Sequence, residues 1–259
     1  MDAFVSADWL AERLDDVRVV DVRDAWEYEG IGHLPGAVSI PFGEFRSADG
    51  DEGMLPGADR WADLLSSAGV DADDEVVAYD DTHGVFAARF LVTAELYGHD
   101  PAKLHLLDGD YSAWSRQREV TTEPVEPEAT EYEPREPADS PLVDFAAVEA
   151  ALEDPDTVVV DTREPWEYEE GHLPGAVQLD WMELVDAESR GLKPRDEQEA
   201  TLADRGIVPG KRILLYCNTA RRISHTYLVL RHLGYGDLAF YEGSLTEWEA
   251  RGGAMETGS

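Results

Sequence analysis

"VVDVRDAWEYEGIGHLPGAVSIPF", residues 19–42, and "VVVDTREPWEYEEGHLPGAVQLDW", residues 158–181, are two copies of one motif. Asp21 matches Asp161, Arg23 matches Arg163, and Trp26-Glu27-Tyr28 matches Trp166-Glu167-Tyr168. His33-Leu34-Pro35-Gly36-Ala37 matches His172-Leu173-Pro174-Gly175-Ala176. Two further blocks repeat in the same order. "EVVAYDDTHGVFAARF" (75–90) lines up with "RILLYCNTARRISHTY" (212–227), and "LHLLDGDYSAW" (104–114) with "LAFYEGSLTEW" (238–248). Two long copies are too few for a solenoid, so the pattern implies a duplicated domain. Between them lies "EVTTEPVEPEATEYEPREPAD", rich in Pro and Glu, with little that can be buried; it reads as an extended linker wrapping or spanning the domains. The expected division is a domain over 1–118, a linker over 119–139 and a domain over 140–259.

Each copy reads as α/β. "VRVVDV", "TVVVDT", "EVVAYD" and "RILLYC" are short runs suited to buried strands, with "LHLLDG" and "LAFYEG" as weaker ones. "WADLLSSAG", "GVFAARFLVTAELYG" and "ISHTYLVLRHLG" carry apolar residues at helical spacing and close on glycine. Strands alternating with helices predict a mostly parallel sheet covered on both faces. Such sheets bind ligands beyond the carboxyl ends of their strands. Cys217, the single cysteine, stands at such an end.

The loop after Cys217 is short and feeds a helix beginning near Ser224. Backbone N–H groups in such a turn converge on a point above the sulfur, and the free amides of the helix start favour an anion there. The same field favours thiolate over thiol. Arg221 and Arg222 add positive charge. A thiolate in an anion cup can attack phosphate or accept sulfur from an anionic donor; a buried structural thiol is the bland alternative. Cysteine phosphatases need a wider loop, with about five residues between Cys and Arg. Here four residues separate Cys217 from Arg222, which suits a smaller group such as a sulfane sulfur. In the first copy Asp80 takes the cysteine's place, within "DDTHGVF". An acid repels anions and cannot serve as a thiolate, so the first copy is expected to be catalytically silent.

These residues resemble the tandem-domain rhodanese (thiosulfate sulfurtransferase) family. "DTREPWEYEEGHLPGAV" is similar to the family's Asp-x-Arg and Gly-His-x-x-Gly-Ala signature, and "YEGSLTEW" to its carboxyl-terminal signature. The resemblance covers nearly the whole chain. It implies two rhodanese-like α/β domains, the second catalytic, with Cys217 forming a persulfide. It further implies that Asn218, Thr219, Ala220, Arg221, Arg222, Ile223 and Ser224 surround the substrate. No cofactor or metal is implied. The donor is expected to be thiosulfate, and the acceptor cyanide or a thiol, including a protein thiol. The loop departs from the family pattern at Asn218, where Arg or Gly is usual, and at Ala220, where Gly is usual. Asn218 removes a cation linked with thiosulfate; Ala220 needs a backbone angle that glycine adopts freely. A related group using 3-mercaptopyruvate carries a Cys-Gly-Ser/Thr-Gly loop, so that donor stays open. So does a sulfur-carrier or binding module without turnover.

Other repeated residues read as structural. Asp161 and Arg163 are expected to form a buried ion pair, and His172, like His33, to be a hydrogen-bonding turn residue, since no second His or Cys neighbours either for a metal. Trp26, Trp166, Trp114 and Trp248 are expected in the cores.

Composition bounds the setting. The chain has 259 residues, is 43% hydrophobic, and contains no apolar run long enough for a membrane span. Its start lacks the basic region and apolar core of a signal peptide, and one cysteine makes no internal disulfide, so a cytoplasmic protein is expected. Asp plus Glu is 56 against 21 Lys plus Arg, a formal net charge of -35. No basic stripe exists to meet nucleic-acid phosphates. The balance is like that of cytoplasmic proteins from salt-loving archaea, where molar salt shortens the Debye length to about 3 Å and screens self-repulsion. Raising KCl from about 0.1 M to about 2 M is therefore expected to raise the unfolding temperature. A thermal melt that is flat across the series contradicts a halophilic setting.

Overall fold

The computed structural model describes residues 2–47, 54–137 and 139–258. Contacts divide the chain into two compact units: one running to Ser140 and including Ala187–Leu192, the other Pro141–Asp186 with Lys193 onward. Each is an α/β unit, a parallel sheet flanked by helices.

In the first unit β1 (Phe4–Val5), β2 (Arg18–Asp21), β3 (Val38–Ser39), β4 (Val76–Tyr79) and β5 (Leu104–Leu107) line up in the order β1-β5-β4-β2-β3. Helices α1 (Ala7–Ala11), α2 (Ala25–Gly30), α3 (Ala58–Ser67), α4 (Val85–Leu96) and α5 (Asp110–Ser115) cover it. In the second, β6 (Thr157–Asp161), β7 (Val177–Gln178), β8 (Arg212–Tyr216) and β9 (Leu238–Phe240) run β7-β6-β8-β9. Helices α6 (Phe145–Leu152), α7 (Pro165–Glu170), α8 (Arg195–Ala203), α9 (Arg221–Leu233) and α10 (Ser244–Ala250) complete it.

The central strands β4 and β8 are walled by neighbours on both sides, which is why their runs are almost wholly apolar. Register sets the site. Asp161 of β6 is level with Tyr216 of β8, and Asp21 of β2 with Tyr79 of β4. The residues just past those ends, Cys217 and Asp80, therefore emerge at the carboxyl edge of their sheets. Among the described residues no helix is long and apolar enough to cross a membrane.

One expectation is corrected. Trp114 and Trp248 are core residues, but Trp26 and Trp166 are 63% and 57% exposed. Each begins a short helix whose inward positions are taken by tyrosines: Tyr28 stacks on His33, and Tyr168 on His172, with ring centroids 3.8 and 3.7 Å apart. The indole N–H instead seals the helix start, donating to Asp24 in one copy and Glu164 in the other.

The acidic segment, described over 119–137, runs as an extended strap along the first unit, with Tyr132 the one buried residue in that stretch. Thr121 pairs with His33 through both backbone bonds, Thr130 N–H donates to Ser66 O, and Arg135 N–H to Tyr97 O. Two glycines let it pass. A Cβ on Gly69 (φ +68) would lie 2.8 Å from Glu128 O, and one on Gly98 (φ +82) 2.6 Å from Arg135 O. Tyr132 is buried against His99, rings 6.1 Å apart and nearly parallel. His99 Nε2 donates to Asp74 O at 2.9 Å, leaving Nδ1 to accept from the Tyr132 hydroxyl at 3.3 Å.

Burial lowers the pKa of His99 below the usual histidine range, Lys103 adds to that, and the Asp74 bond opposes it. A histidine with a depressed folded pKa gives stability that is complete above its unfolded value, 6.5, and lost as pH falls through the folded value. Limited proteolysis within 119–139 is therefore expected to be faster at about pH 5 than at about pH 7.5, and His99→Phe to flatten that dependence.

Candidate active site

The site is built on a buried ion pair at the end of β6. Arg163 Nε donates to both Asp161 oxygens at 2.9 and 3.1 Å, Nη2 to Oδ2 at 2.6 Å, and the backbone N–H to Oδ1 at 3.0 Å. Both side chains are almost wholly buried. Asp161 also accepts from the Tyr216 hydroxyl, and burial with this carboxylate keeps that phenol protonated far above its ordinary range. Tyr216 Oη in turn accepts Leu173 N–H at 3.1 Å, and Arg163 Nη2 donates to Gly171 O at 2.6 Å. Strand end, neighbouring strand and the Gly171–Leu173 turn are thereby fixed together. His172 lies in that turn, its Nδ1 2.8 Å from Tyr168 O and its backbone paired with Glu256.

Cys217 is buried, its N–H donating to Ser244 Oγ at 3.2 Å and its carbonyl accepting Leu245 N–H at 2.9 Å. Asn218, Thr219 and Ala220 form the turn, and Arg221, Arg222, Ile223 and Ser224 the first turn of α9. Ala220 has φ +64, the left-handed region in which a Cβ costs about 1–2 kcal/mol. His83, its counterpart in the first copy, has φ +55. Both loops make the same turn without glycine there. Ser244 and Asp110, also counterparts, share φ +50.

The loop side chains do not all face an incoming ligand. Arg222 pairs with Glu167 of α7, and Asn218 Nδ2 donates to Glu167 Oε1 at 2.8 Å. Asn218 Oδ1 accepts from Arg163 Nη1 at 3.5 Å, and its carbonyl accepts Thr246 Oγ1–H at 3.0 Å. Burial would raise the Glu167 carboxyl, but the Arg222 bond, the Glu164 N–H and Asn218 hold it below the usual carboxylate range. Glu167 and Ser244 escaped the sequence reading. Glu167 stands in the repeated Trp-Glu-Tyr, where Glu27 makes the same helix cap, so nothing local marks it as reaching a loop fifty residues downstream. Among the described residues no group of His, Cys, Asp or Glu is placed to hold a metal.

The first copy supplies an internal control. Its loop amides converge on a point, and Asp80 fills it: the carboxylate accepts N–H groups of Thr82 (2.7 Å), Gly84 (2.8 Å), Phe86 (2.7 Å) and Ala87 (3.0 Å). Their counterparts around Cys217 are Thr219, Arg221, Ile223 and Ser224. Asp81, where the other loop has Asn218, turns away to Ser112 and to Arg190. Arg190 also forks onto Asp110 at 2.9 Å, which explains why Ala187–Leu192 clusters with the first unit rather than with the sequence around it.

Comparison with known proteins adds a family. A rhodanese-like domain model matches residues 6–117 and again 144–251. A thiosulfate sulfurtransferase of Corynebacterium glutamicum is 31% identical over 270 residues, covering 95% of this chain and 87% of its own. One from Pseudomonas aeruginosa is 31% identical over 250 residues, covering 92% and 91%. Among solved structures, SseA from Escherichia coli, described as having the "Rhodanese" fold and mechanism of 3-mercaptopyruvate sulfotransferases, superposes with a TM-score of 0.84 at 26% identity, covering 94% of this chain and 99% of that one. The anaerobic ergothioneine biosynthesis enzyme of Chlorobium limicola reaches 0.89 at 19% identity over 99% of this chain and 70% of its own, a likeness of fold alone.

Replacing Asp80 with Ala strips the acceptor from those four amides. Leaving buried donors unpaired is expected to cost the protein about 3 kcal/mol by urea melt, with the sulfur-transfer rate of the folded protein unchanged within about twofold. A matching loss of rate would contradict a silent first copy.

Proposed function

This chain belongs to the rhodanese-like family, and from that membership we propose that it is a sulfurtransferase working through Cys217, with thiosulfate as donor. The thiolate attacks the outer sulfur of thiosulfate. The sulfur–sulfur bond breaks, its electron pair leaves with sulfite, and Cys217 becomes a persulfide. Cyanide or a thiol then attacks the terminal sulfur, forming thiocyanate or an acceptor persulfide and regenerating the thiolate.

The single observation that carries the reading is the Asp80 carboxylate nested on loop amides in the first copy. The same turn, with a thiol in place of the acid, offers an anion cup to a charged sulfur. The amides that match by alignment are those of Thr219, Arg221, Ile223 and Ser224, the last also donating to Ala220 O at 3.3 Å; Ala220 sets the turn, and Asn218 and Arg222 form the wall with Glu167. Asp161, Arg163 and His172 support the loop without touching the donor. Thiosulfate is favoured by the activities named for the relatives; the likeness to SseA and the uncharged Asn218 keep 3-mercaptopyruvate as the second reading. A salt-adapted, cytoplasmic setting belongs to the proposal and rests on composition.

Intact-mass spectrometry after thiosulfate treatment is expected to find one added sulfur, located on Cys217 and discharged by cyanide. Cys217→Ser should neither load nor form thiocyanate. Full thiocyanate production by that variant sinks the reading. Loading from a partner persulfide but never from a small donor would make the chain a carrier.

A further inference from the structure

The sequence offers two arginines beside the thiol, and the structure pairs Arg222 with a carboxylate. Arg222 and Glu167 are both mostly buried, and their side chains form an ion pair. The other Glu167 oxygen holds the Asn218 amide at 2.8 Å. Asn218 connects onward to Arg163. Both oxygens of one carboxylate therefore engage the cysteine loop. An arginine paired with a buried carboxylate presents almost no net charge to an approaching anion.

The first copy separates this role from helix capping. Glu27 closes the same capping box, with Asp24 N–H donating to its Oε2 at 3.2 Å. The residues matching Asn218 and Arg222 are Asp81 and Val85, and among the described residues Glu27 makes no ion pair. Capping is thus common to both copies. The grip on the loop belongs to the copy with the thiol.

We propose that Glu167 is a specificity-determining residue that sets how strongly the pocket attracts its sulfur donor, by neutralising Arg222 and anchoring Asn218. The inference rests on the sulfurtransferase reading and says how that site weighs donor charge. It acts on binding of the anion, not on the attack by Cys217, so it should move KM and leave kcat nearly untouched. Coulomb energy scales with donor charge, so removing Glu167's charge helps a dianion twice as much, in the logarithm, as a monoanion. Thiosulfate is the dianion and 3-mercaptopyruvate the monoanion, and a pocket carrying Glu167 narrows the gap between them.

The test uses full-length protein and steady-state kinetics with both donors. Glu167→Gln keeps an oxygen for the cap and removes the charge. It should lower KM about tenfold for thiosulfate and about threefold for 3-mercaptopyruvate, with kcat within about twofold; high KCl should shrink both effects. Arg222→Gln, which leaves Glu167 uncompensated, should raise the thiosulfate KM about tenfold, and the double variant should lie near wild type. An unchanged or raised thiosulfate KM in folded Glu167→Gln, or equal effects on the two donors, overturns the role of Glu167 alone. Arg222→Gln with an unchanged KM does the same even if Glu167→Gln misfolds. A wild type that forms no Cys217 persulfide with either donor overturns the sulfurtransferase reading and this inference with it.

Discussion

The buried pair of Asp161 and Arg163 is the constraint on which the thiol-bearing copy depends. It lies at the end of a strand, where the backbone would otherwise be free to wander. Its guanidinium reaches three separate pieces of chain: its own carboxylate, the Gly171 carbonyl and the Asn218 side chain. Removing one member would strand the other charge in a site shielded from water, at a cost of about 3–5 kcal/mol. The pair of Asp21 and Arg23 repeats it, with Arg23 Nη2 donating to Gly32 O at 2.7 Å. Each copy therefore presents its loop from the same rigid corner. What differs is the group at the loop's start: a carboxylate that satisfies the amides itself in one, a thiol in the other.

That difference gives the duplication a physical meaning. The Asp80 loop is closed by its own side chain, with no acceptor needed from outside. The Cys217 loop has the same handed turn at Ala220, with a thiol in place of that acid. Arg190, reaching Asp110 and Asp81, turns the first loop into an attachment point for a segment from the second half of the sequence. A copy without a thiol can thus stay structurally useful.

The repeat made much of this legible. Two matched sets of β-branched runs and helical patterns were enough for two α/β units, and the strand–loop–helix reading put Cys217 at a carboxyl edge. The misses share a cause. Repetition shows that a residue matters, but not which way it faces. Trp26 and Trp166 recur like the buried Trp114 and Trp248, yet a two-residue step from the helix cap turns them outward. Tyr132 sat in a Pro- and Glu-rich stretch whose composition argued against burial, while its docking place, His99 beside a close-packed glycine turn, lay far off in sequence. Glu167 looked like a cap because it is one; its bonds to Asn218 and Arg222 exist only after β6 and β8 are side by side.

The central claim is that the Cys217 loop holds a charged sulfur as the Asp80 loop holds a carboxylate. A crystal structure of thiosulfate-treated protein tests it most directly. The account predicts one extra atom bonded to Cys217 Sγ, ringed by the amides of Thr219, Arg221, Ile223 and Ser224, with the Asp80 loop unchanged. A bare Cys217 Sγ in crystals of protein that has turned over thiosulfate, or a bound sulfur pointing away from those amides, would contradict it.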